Sequence, residues 1–274
     1  MRKVLDHGHV ELIETWGSDQ RVIESARMST QKGFLGWGGD PCPRCREAGR
    51  LSERDNLFHS FEDSEAARAA KCPCKGTGRR IGDEGLLRYL YENQHSTPFE
   101  FAGMVVEVQA PIFVFREWHR HRTQSYNEMS ARYAPLPDLA YLPDAADCVK
   151  RSEAAAQRNR QAGVVDGAPV LSMGDAGDLL AEESDLLVMV EDLYQRKLKA
   201  GFTKELARTH LTVSRYSRMR ATANLRNWLG FMTLRSTAKN PAAQQEIRQY
   251  ADAVGELLAE SFPRTWALFS VAPR

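Results

Sequence analysis

The sequence lacks the features that would place it in several large classes of protein. It has no apolar run that approaches the length needed to cross a bilayer, and residues 1–6 lack the apolar core of a secretory signal. Charge of either sign is not in excess, since 37 Lys and Arg against 36 Asp and Glu leave a formal net charge of +1. A nucleic-acid partner held by a general basic field is therefore disfavoured, and any anion site must come from locally clustered arginines. We expect a cytoplasmic protein with no membrane partner.

Cysteine is scarce and unevenly placed. Of the five cysteines, Cys148 stands alone, and the others form two close pairs in one segment: Cys42, Cys45, Cys72 and Cys74. In a cytoplasmic chain such pairs favour a bound metal over disulfides. Residues 33–49, around the first pair, are rich in glycine and proline, which is typical of turns and loops. This segment is not expected to form a helix of the main body.

Apolar periodicity and capping residues predict a mixture of strands and helices. Strands are predicted at residues 4–13 and 101–108. A helix is predicted to begin with Pro111 in its first turn and to end before Arg120. The other predicted helices are residues 19–27, 83–93, 181–200, 203–216, 224–234 and 241–262. The segments predicted to be irregular or only weakly helical are residues 134–148 and 152–178.

The run at residues 120–133, R-H-R-T-Q-S-Y-N-E-M-S-A-R-Y, is the most informative part of the chain. It concentrates three arginines, an imidazole, a carboxylate and several hydroxyls. Guanidinium groups match the geometry of phosphate, and hydroxyl and backbone N–H groups complete an anion cradle, so the run indicates a phosphorylated ligand. Two alternatives stay open: a solvated charged face, or simple ion pairs of Arg120 or Arg122 with Glu117 or Glu128.

Several motifs, in order, resemble those of the flavin-dependent thymidylate synthases. The signature of that family is R-H-R followed by a serine, and this chain has Arg120, His121 and Arg122 followed by Ser130. Further matching segments are residues 96–100, 110–113, 205–208, 224–226 and 234–235. The resemblance covers most of the chain outside residues 33–82 and 147–180.

This resemblance implies a fold and an assembly. The fold is a single α+β catalytic domain over residues 1–274, in which a mostly antiparallel sheet from the first half packs with the C-terminal helices. A chain of 274 residues is long enough for one large domain. The implied assembly is a homotetramer whose active sites are shared between subunits.

The resemblance also implies the reaction, which is reductive methylation at C5 of a uridylate, a small-molecule nucleotide substrate. Methylenetetrahydrofolate would give the one-carbon unit, reduced FAD the hydride, and NADPH the electrons that reduce the flavin. The protein would orient the reactants while the cofactors react. Ser130 is not predicted to be a nucleophile, because no general base is evident beside it in the sequence.

Individual residues receive roles from the same resemblance. Those implied at the flavin are Thr97, Arg120, His121, Arg122, Glu128, Asn224, Leu225, Arg226 and Gly230. Those implied at the nucleotide are Glu117, Trp118, His119, Arg120, Glu128, Met129, Ser130, Ala131, Arg132, Arg208 and Arg235. Arg235 is the predicted catalytic residue, because the equivalent arginine helps to stabilise negative charge at uracil N3. Without the resemblance, Thr97 before proline is only a turn signal, and Asn224 predicts a helix N-cap.

Three positions depart from the family pattern. Glu117 stands where the family usually has a glutamine that touches the substrate sugar. An ionised carboxylate only accepts hydrogen bonds, and the two cis hydroxyls of a ribose would satisfy it better than the single one of a deoxyribose. We therefore predict that UMP is accepted, either alone or in addition to dUMP. Gly230 replaces an asparagine and Ala131 a glycine, so the affinity for flavin is expected to change.

A further departure is an insertion at residues 33–82, which carries Cys42, Cys45, Cys72 and Cys74. Four thiolates in two turns that contain or adjoin glycine predict a structural zinc site with no open coordination position, with His59 as a possible substitute ligand. Free thiols or a disulfide remain alternatives, because the second pair is one residue tighter than ideal. A competing function is a zinc-stabilised nucleic-acid-binding module whose basic residues are Arg44, Arg46, Lys71, Lys75, Arg79 and Arg80. Another is a nucleotide-binding homologue without activity.

Overall fold

The computed structural model of the chain describes residues 1–38, 82–155, 163–164 and 167–272. Its centre is a five-stranded sheet in the order β1-β2-β3-β5-β4, in which every neighbouring pair is antiparallel. The strands are β1 Arg2–Val4, β2 Gly8–Trp16, β3 Gly103–Pro111, β4 Ser125–Glu128 and β5 Tyr216–Asn224. The α+β class with a mostly antiparallel sheet is therefore confirmed.

Nine α-helices lie in the part of the chain that the structure describes. They are α1 Asp19–Arg27, α2 Glu84–Glu92, α3 Ile112–Trp118, α4 Ala145–Ala155, α5 Met173–Lys199, α6 Lys204–Ala207, α7 Leu225–Arg235, α8 Gln245–Ser261 and α9 Pro263–Val271. Side-chain caps fix three of the starts, because Ser18, Ser172 and Asn224 each accept a hydrogen bond from a backbone N–H in the first turn. Short 3₁₀ turns occupy Met28–Thr30, Thr97–Phe101 and Arg208–His210.

The core lies between one face of the sheet and the helices. On β3 the residues that face the core are Met104, Val106, Val108 and Ala110, and they alternate with less buried ones, as a half-covered antiparallel strand requires. Trp118 of α3 stacks on Phe231 of α7 with ring centroids 4.6 Å apart. Trp228 of α7 donates from its indole N–H to the carbonyl of Met104 at 3.1 Å. These contacts fix α3 and α7 on the same sheet face, and this brings their C-terminal ends together.

Several predicted elements are confirmed within a few residues. The helices predicted at 19–27, 83–93 and 224–234 correspond to α1, α2 and α7, and the strand predicted at 101–108 corresponds to β3. The helix predicted from Pro111 is also present, but Pro111 is the last residue of β3 and occupies the N-cap of α3 rather than its first turn.

The largest error concerns residues 203–216, which were predicted to form one helix. They contain only α6 and the 3₁₀ turn Arg208–His210, after which Tyr216 begins β5. Arg218 and Arg220, which favour helices intrinsically, occupy the outer face of β5, while the buried Met219, Ala221 and Ala223 face the core. The sheet is therefore not confined to the first half of the chain, because β5 joins it between β3 and β4.

Smaller errors concern element boundaries. The single strand predicted at residues 4–13 is two strands, β1 and β2, separated by a turn in which Leu5 has a φ of 56°. Residues 134–148 are not wholly irregular, because α4 begins at Ala145 after Asp144 accepts a hydrogen bond from the N–H of Ala146. The helix predicted from residue 181 begins at Met173, and the one predicted from residue 241 begins at Gln245. In the described ranges, none of the helices combines the length and the apolar character that crossing a membrane requires.

Candidate functional site

The R-H-R segment leaves the end of a helix, as predicted. Helix α3 ends at Trp118, and the backbone then folds into a tight turn in which the N–H of Arg120 donates to the carbonyl of Glu117 at 3.2 Å. The N–H of His121 donates to the carbonyl of Trp118 at 3.0 Å. Arg120 and Arg122 are exposed, while His121 between them is partly buried. The turn therefore sends the two guanidinium groups outwards and the imidazole inwards.

The buried side of the turn meets Arg235, the last residue of α7. Arg235 donates from Nε to His121 Nε2 at 2.9 Å and from Nη1 to Glu117 Oε1. The side chains of Arg235 and Glu117 are 18% and 23% exposed, so solvent screens this ion pair only in part. In the part of the chain that is described, Arg120 and Arg122 form no ion pair, so the alternative that they pair with Glu117 or Glu128 is not seen.

Burial shapes the charges of this cluster. Burial, and after it the positive charge of Arg235, lower the pKa of His121 to about 4. The imidazole is therefore neutral at neutral pH, which leaves Nε2 free to accept the hydrogen bond from Arg235. Burial also raises the pKa of Glu117, although Arg235 acts in the opposite direction. The His121 ring packs edge-on against Phe231, with centroids 4.9 Å apart, and this holds the acceptor in place.

A second group of predicted residues follows β4. Ser130 Oγ accepts hydrogen bonds from both the backbone N–H and the Nε of Arg132, each at 3.3 Å. Arg132 is exposed and lies over the ring of Tyr133, with the guanidinium carbon 5.6 Å from the ring centroid. Lys204, at the start of α6, donates to the carbonyl of Tyr133 at 2.8 Å. The loop therefore presents a serine hydroxyl and two cationic side chains at the surface.

The remaining nucleotide candidates lie in different surroundings. Arg208, in the 3₁₀ turn after α6, is partly buried, as are Glu128 and Met129 at the end of β4. Ala131 is almost fully buried. Trp118 is also fully buried, and its indole N–H donates to Gln124 Oε1 at 3.0 Å. The side chain of Trp118 therefore supports the turn from within the core. His119 lies beside Tyr126, with ring centroids 4.8 Å apart.

Five of the residues implied at the flavin lie at or near the start of α7, namely Thr97, Asn224, Leu225, Arg226 and Gly230, whereas Arg120, His121, Arg122 and Glu128 do not. Asn224 caps the helix by accepting from the N–H of Asn227 at 3.0 Å, which confirms the capping role expected from sequence. Arg226 forms an ion pair with Glu100, Nη1 to Oε1 at 2.5 Å. Leu225 is only 1% exposed, so its side chain belongs to the core. Thr97 begins the exposed 3₁₀ turn Thr97–Phe101 that packs against the start of α7.

An open cleft of about 620 Å³ lies beside this end of α7. Residues of α2, the Thr97–Phe101 turn, α7 and α9 line it, and Arg226, Gly230 and His95 are among them. A side chain added at Gly230 would meet nothing within 4 Å, so the cleft has room there. The amide of Asn227 donates to the carbonyl of Thr123 at 2.9 Å and ties this end of α7 to the segment after R-H-R.

The structure thus divides the predicted site into three groups rather than one. We call Glu117, His121 and Arg235 the buried cluster. Helix α7 joins this cluster, at Arg235, to the cleft at Arg226, roughly 14 Å away along the helix axis. The exposed loop at Ser130 forms the third group. Sequence reasoning missed Lys204, because its contact with Tyr133 joins residues 71 positions apart in the chain. It also missed the burial of Glu246, because an acidic residue in the first turn of a helix resembles ordinary helix-end electrostatics.

The cysteine cluster cannot be placed in the same way. Cys42, Cys45, Cys72 and Cys74 lie outside the described residues, as do His59 and the six basic residues of the competing nucleic-acid hypothesis. Cys148 lies on α4 and is partly buried, and this burial raises the pKa of its thiol. It is thus protonated at neutral pH.

The fold and the site together define an α+β protein with a partly buried, oriented arginine and open cationic surfaces. A sequence model of the family described as "Thymidylate synthase complementing protein" matches residues 11–264, and the chain belongs to this family. A flavin-dependent thymidylate synthase of Anaplasma marginale is 33% identical over 267 residues, which cover 97% of this chain and 73% of that protein. One from Rickettsia prowazekii is 31% identical over 277 residues, with coverage of 97% and 77%.

A solved structure resembles the whole chain. It is a UMP/dUMP methylase, PolB, from Streptomyces cacaoi, bound with 5-Br UMP, and it is 27% identical to this chain. The match has a TM-score of 0.65 and covers 98% of this chain and 97% of that one. A second structure of PolB, bound with 5-Br dUMP, matches with 28% identity and a TM-score of 0.64.

Proposed function

We propose that this protein catalyses flavin-dependent methylation at C5 of a uracil nucleotide. The observation that carries the proposal is the position of Arg235, held between His121 and Glu117 at the end of α7 beside the R-H-R turn. A cation oriented in this way suits negative charge that develops on a pyrimidine ring. The names of the relatives support the reaction class, since they are flavin-dependent thymidylate synthases and a UMP/dUMP methylase.

Arg235 can change one of its hydrogen-bond partners while the imidazole of His121 stays neutral. On nucleotide binding, Arg235 would keep its hydrogen bond to neutral His121 and turn Nη1 from Glu117 to the pyrimidine. The negative charge at N3 would then face a fixed guanidinium in a partly dehydrated site. Glu117 Oε1 would be left free to accept from the sugar. We assign the catalytic role to Arg235 and treat His121 as the residue that positions it.

The nucleotide phosphate would bind at the exposed loop. Ser130, Arg132 and Arg208 would provide a hydroxyl and two guanidinium groups, and Lys204 contacts the same loop at Tyr133. The other substrate contacts that we propose are Glu117, Trp118, His119, Arg120, Glu128, Met129 and Ala131. Trp118 and Ala131 are buried, so their contribution would be to shape the walls of the site.

The residues around the start of α7 fit a flavin. The cleft is large and open, Gly230 leaves space, and Arg226 provides a cation beside it. Together with Thr97, Arg120, His121, Arg122, Glu128 and Asn224, these residues would hold FAD; Leu225 could contribute only through its backbone. When bound and reduced, FAD supplies a hydride. The two exposed arginines of the R-H-R turn suit its phosphates.

We propose a homotetramer in which the exposed loop of one subunit completes the buried cluster of another. Apolar residues on α5 that stay exposed in the single chain support this assembly: Leu179, Leu186, Val188 and Met189. Apolar side chains placed close together on a helix surface commonly mark a protein interface. Light scattering of the purified protein should give a mass four times that of the chain, and a monomer would contradict the shared site.

For the substrate, we propose that UMP is accepted, in addition to dUMP, because Glu117 can accept hydrogen bonds from both hydroxyls of a ribose. The one-carbon donor would be methylenetetrahydrofolate and the reductant NADPH. Strong preference for dUMP that is unchanged in Glu117→Gln would contradict the role of Glu117. The structural zinc at Cys42, Cys45, Cys72 and Cys74 also remains a proposal, which metal analysis of protein purified without chelator would test.

One experiment tests the function as a whole. The purified protein is examined for flavin absorbance and assayed with dUMP and UMP side by side, with methylenetetrahydrofolate and NADPH. We expect a bound flavin and methylated product from at least one nucleotide. Without the folate donor, the product should be lost while the flavin absorbance remains. Bound flavin without turnover would indicate an inactive nucleotide-binding homologue. Absence of both flavin and turnover would contradict the proposal.

A further inference from the structure

Arg208, one of the three residues proposed to bind the nucleotide phosphate, lies on a short connection between α5 and β5. It directly follows α6, Lys204–Ala207, and it begins the 3₁₀ turn Arg208–His210. A four-residue helix followed by a single turn is too short to be stable alone. The direction of the Arg208 side chain therefore depends on the contacts that this connection makes with neighbouring elements.

The first of these contacts joins α6 to the loop that carries Ser130 and Arg132. Lys204 Nζ donates to the carbonyl of Tyr133 in this loop at 2.8 Å. Arg208 is four residues after Lys204 and still has helical backbone angles, so the two side chains lie on the same face. Arg208 therefore leaves the connection on the side that faces the loop.

The second contact is made by His210, at the end of the 3₁₀ turn. Successive residues of such a turn are rotated by about 120°, so His210 points in a different direction from Arg208. Its ring meets α5, where Nε2 lies 3.1 Å from the carbonyl of Val190 and Nδ1 lies 3.2 Å from Lys197 Nζ. Both ring nitrogens thus have a partner on the same long helix.

These two partners determine which nitrogen of His210 carries hydrogen. A carbonyl only accepts, so Nε2 must donate to Val190, and a lysine ammonium only donates, so Nδ1 must accept from Lys197. The neutral imidazole satisfies both partners at once. The Lys197 ammonium also lies over the ring of Phe202, 6.0 Å from its centroid. Because His210 and Lys197 are partly buried, water competes with these hydrogen bonds only in part.

We propose that His210 is a positioning residue for Arg208. It holds the 3₁₀ turn on α5, so that Arg208 is presented to the nucleotide phosphate together with Ser130 and Arg132. This role rests on the proposed function of that site. A turn that is already held loses less conformational freedom when the phosphate binds, which strengthens binding. The role concerns nucleotide affinity, because the group assigned to the reaction, Arg235, lies on a different element.

The test is the binding of dUMP and UMP to the full chain, measured by calorimetry for variants of His210. His210→Phe keeps a ring but loses both hydrogen bonds, and its dissociation constant should rise about fivefold to tenfold. His210→Gln should stay within about twofold of the wild type, because an amide, like neutral imidazole, offers one donating and one accepting side. Turnover at saturating nucleotide should be unchanged in both. Unweakened binding by His210→Phe, or an equal loss in His210→Gln, would overturn the proposal.

A double-mutant cycle shows whether His210 acts through Arg208. Arg208→Ala alone should weaken nucleotide binding about tenfold, because a charge-assisted hydrogen bond to phosphate is lost. Adding His210→Phe should then cause little further loss, since no guanidinium is left to position. Additive losses would overturn the proposal while leaving the phosphate site intact. No nucleotide binding by the wild type, or undiminished binding by Arg208→Ala, would instead contradict the proposed phosphate site, and the role of His210 would fall with it.

Lys197→Met decides if His210→Phe does not fold, as judged by circular dichroism. The methionine keeps an apolar stem beside Phe202 but removes the donor to Nδ1, so that His210 retains only its hydrogen bond to Val190. Nucleotide binding should weaken about threefold. The matched control is Lys199→Met, which removes an exposed lysine from the end of the same helix and should bind as the wild type does. Equal binding by the two lysine variants would overturn the proposal.

Discussion

Two arginine-bearing regions of this protein differ in how far the fold has already fixed their cations. Arg235 is 18% exposed and has two partners, His121 and Glu117, from a different element. Arg132 is exposed, and its hydrogen bonds in the described chain go only to Ser130, two residues away. The first cation is oriented before any ligand arrives, whereas the second has a local partner only and is surrounded by water.

The difference in exposure corresponds to two different functions of an arginine side chain. An oriented cation in a partly dehydrated site stabilises charge that develops during a reaction, because no solvent has to reorganise at that moment. An exposed guanidinium is screened by water and salt, and it contributes mainly to holding a phosphate. We therefore assign reaction chemistry to the buried region and substrate anchoring to the loop. Substitutions in the two regions should differ in kind as well as in size.

The largest effect is expected for Arg235→Ala. The change removes the cation and leaves Glu117 partly buried without its partner. Methylation should fall by about 10² to 10³, as when an oriented electrostatic group is removed. The free energy of unfolding should fall by about 2 kcal/mol, less than for a fully buried pair because both side chains are partly exposed. Product assays and denaturant titrations measure the two effects.

Arg21→Ala is the matched control for this prediction. Arg21 is an exposed arginine on α1 that pairs with Glu24, 2.9 Å from Nη1 to Oε2. An exposed pair of this kind contributes little, so turnover and stability should stay near those of the wild type. Turnover by Arg235→Ala at the level of this control would remove the reason for assigning chemistry to the buried region.

The next largest effect is expected for Arg132→Ala in the exposed loop. Loss of one charge-assisted hydrogen bond to phosphate should weaken nucleotide binding by roughly tenfold. The free energy of unfolding should change by less than about 0.5 kcal/mol, because the side chain is exposed. Turnover at saturating nucleotide should remain. A large loss of stability, or a loss of turnover that excess nucleotide does not restore, would erase the distinction between the two regions.

The same contrast explains how much of the fold the sequence predicts. Elements with clear periodicity and a cap were predicted well, as α1 after Ser18 and α7 after Asn224 show. Strand β5 was missed because Arg218, Met219 and Arg220 favour helices when taken alone. Their place in the sheet depends on pairing with β3, more than one hundred residues earlier in the chain. Local propensity contains no information about such a distant partner.

The members of the candidate site stay a prediction, whereas the way in which the fold groups them is visible only in the structure. Matching motifs indicated Arg120, Ser130 and Arg235 as parts of one site, and the family comparison confirms the resemblance. Sequence order did not show that Arg235 faces Glu117 and His121, since these contacts cross more than one hundred residues. Nor did it indicate that Glu246, a charged residue, is only 2% exposed. Burial and facing groups are properties of the packed structure.

A smaller effect is expected from pH, and it concerns the buried region alone. Because the pKa of His121 is about 4 in the folded protein, against an ordinary value near 6.5, the unfolded chain binds a proton first as the pH falls. The contribution of His121 is thus fully present above about pH 6.5 and is lost as the pH falls towards about 4. Partial exposure keeps the loss between about pH 7 and 5.5 below roughly 1 kcal/mol. Denaturant titrations of the wild type and His121→Asn should differ in slope over this range.

The smallest effect is expected for Ser130→Ala, which tests the chemistry assigned to the loop. The hydroxyl accepts two weak hydrogen bonds from Arg132, so its loss should weaken nucleotide binding by only a few-fold, about 0.5 to 1 kcal/mol. Turnover at saturating nucleotide should persist, because Ser130 has no neighbouring base that would make it a nucleophile. Steady-state assays with varied nucleotide separate the two quantities. Complete loss of turnover with nucleotide binding retained would place reaction chemistry in the exposed loop, and the contrast between the two arginine regions would then be wrong.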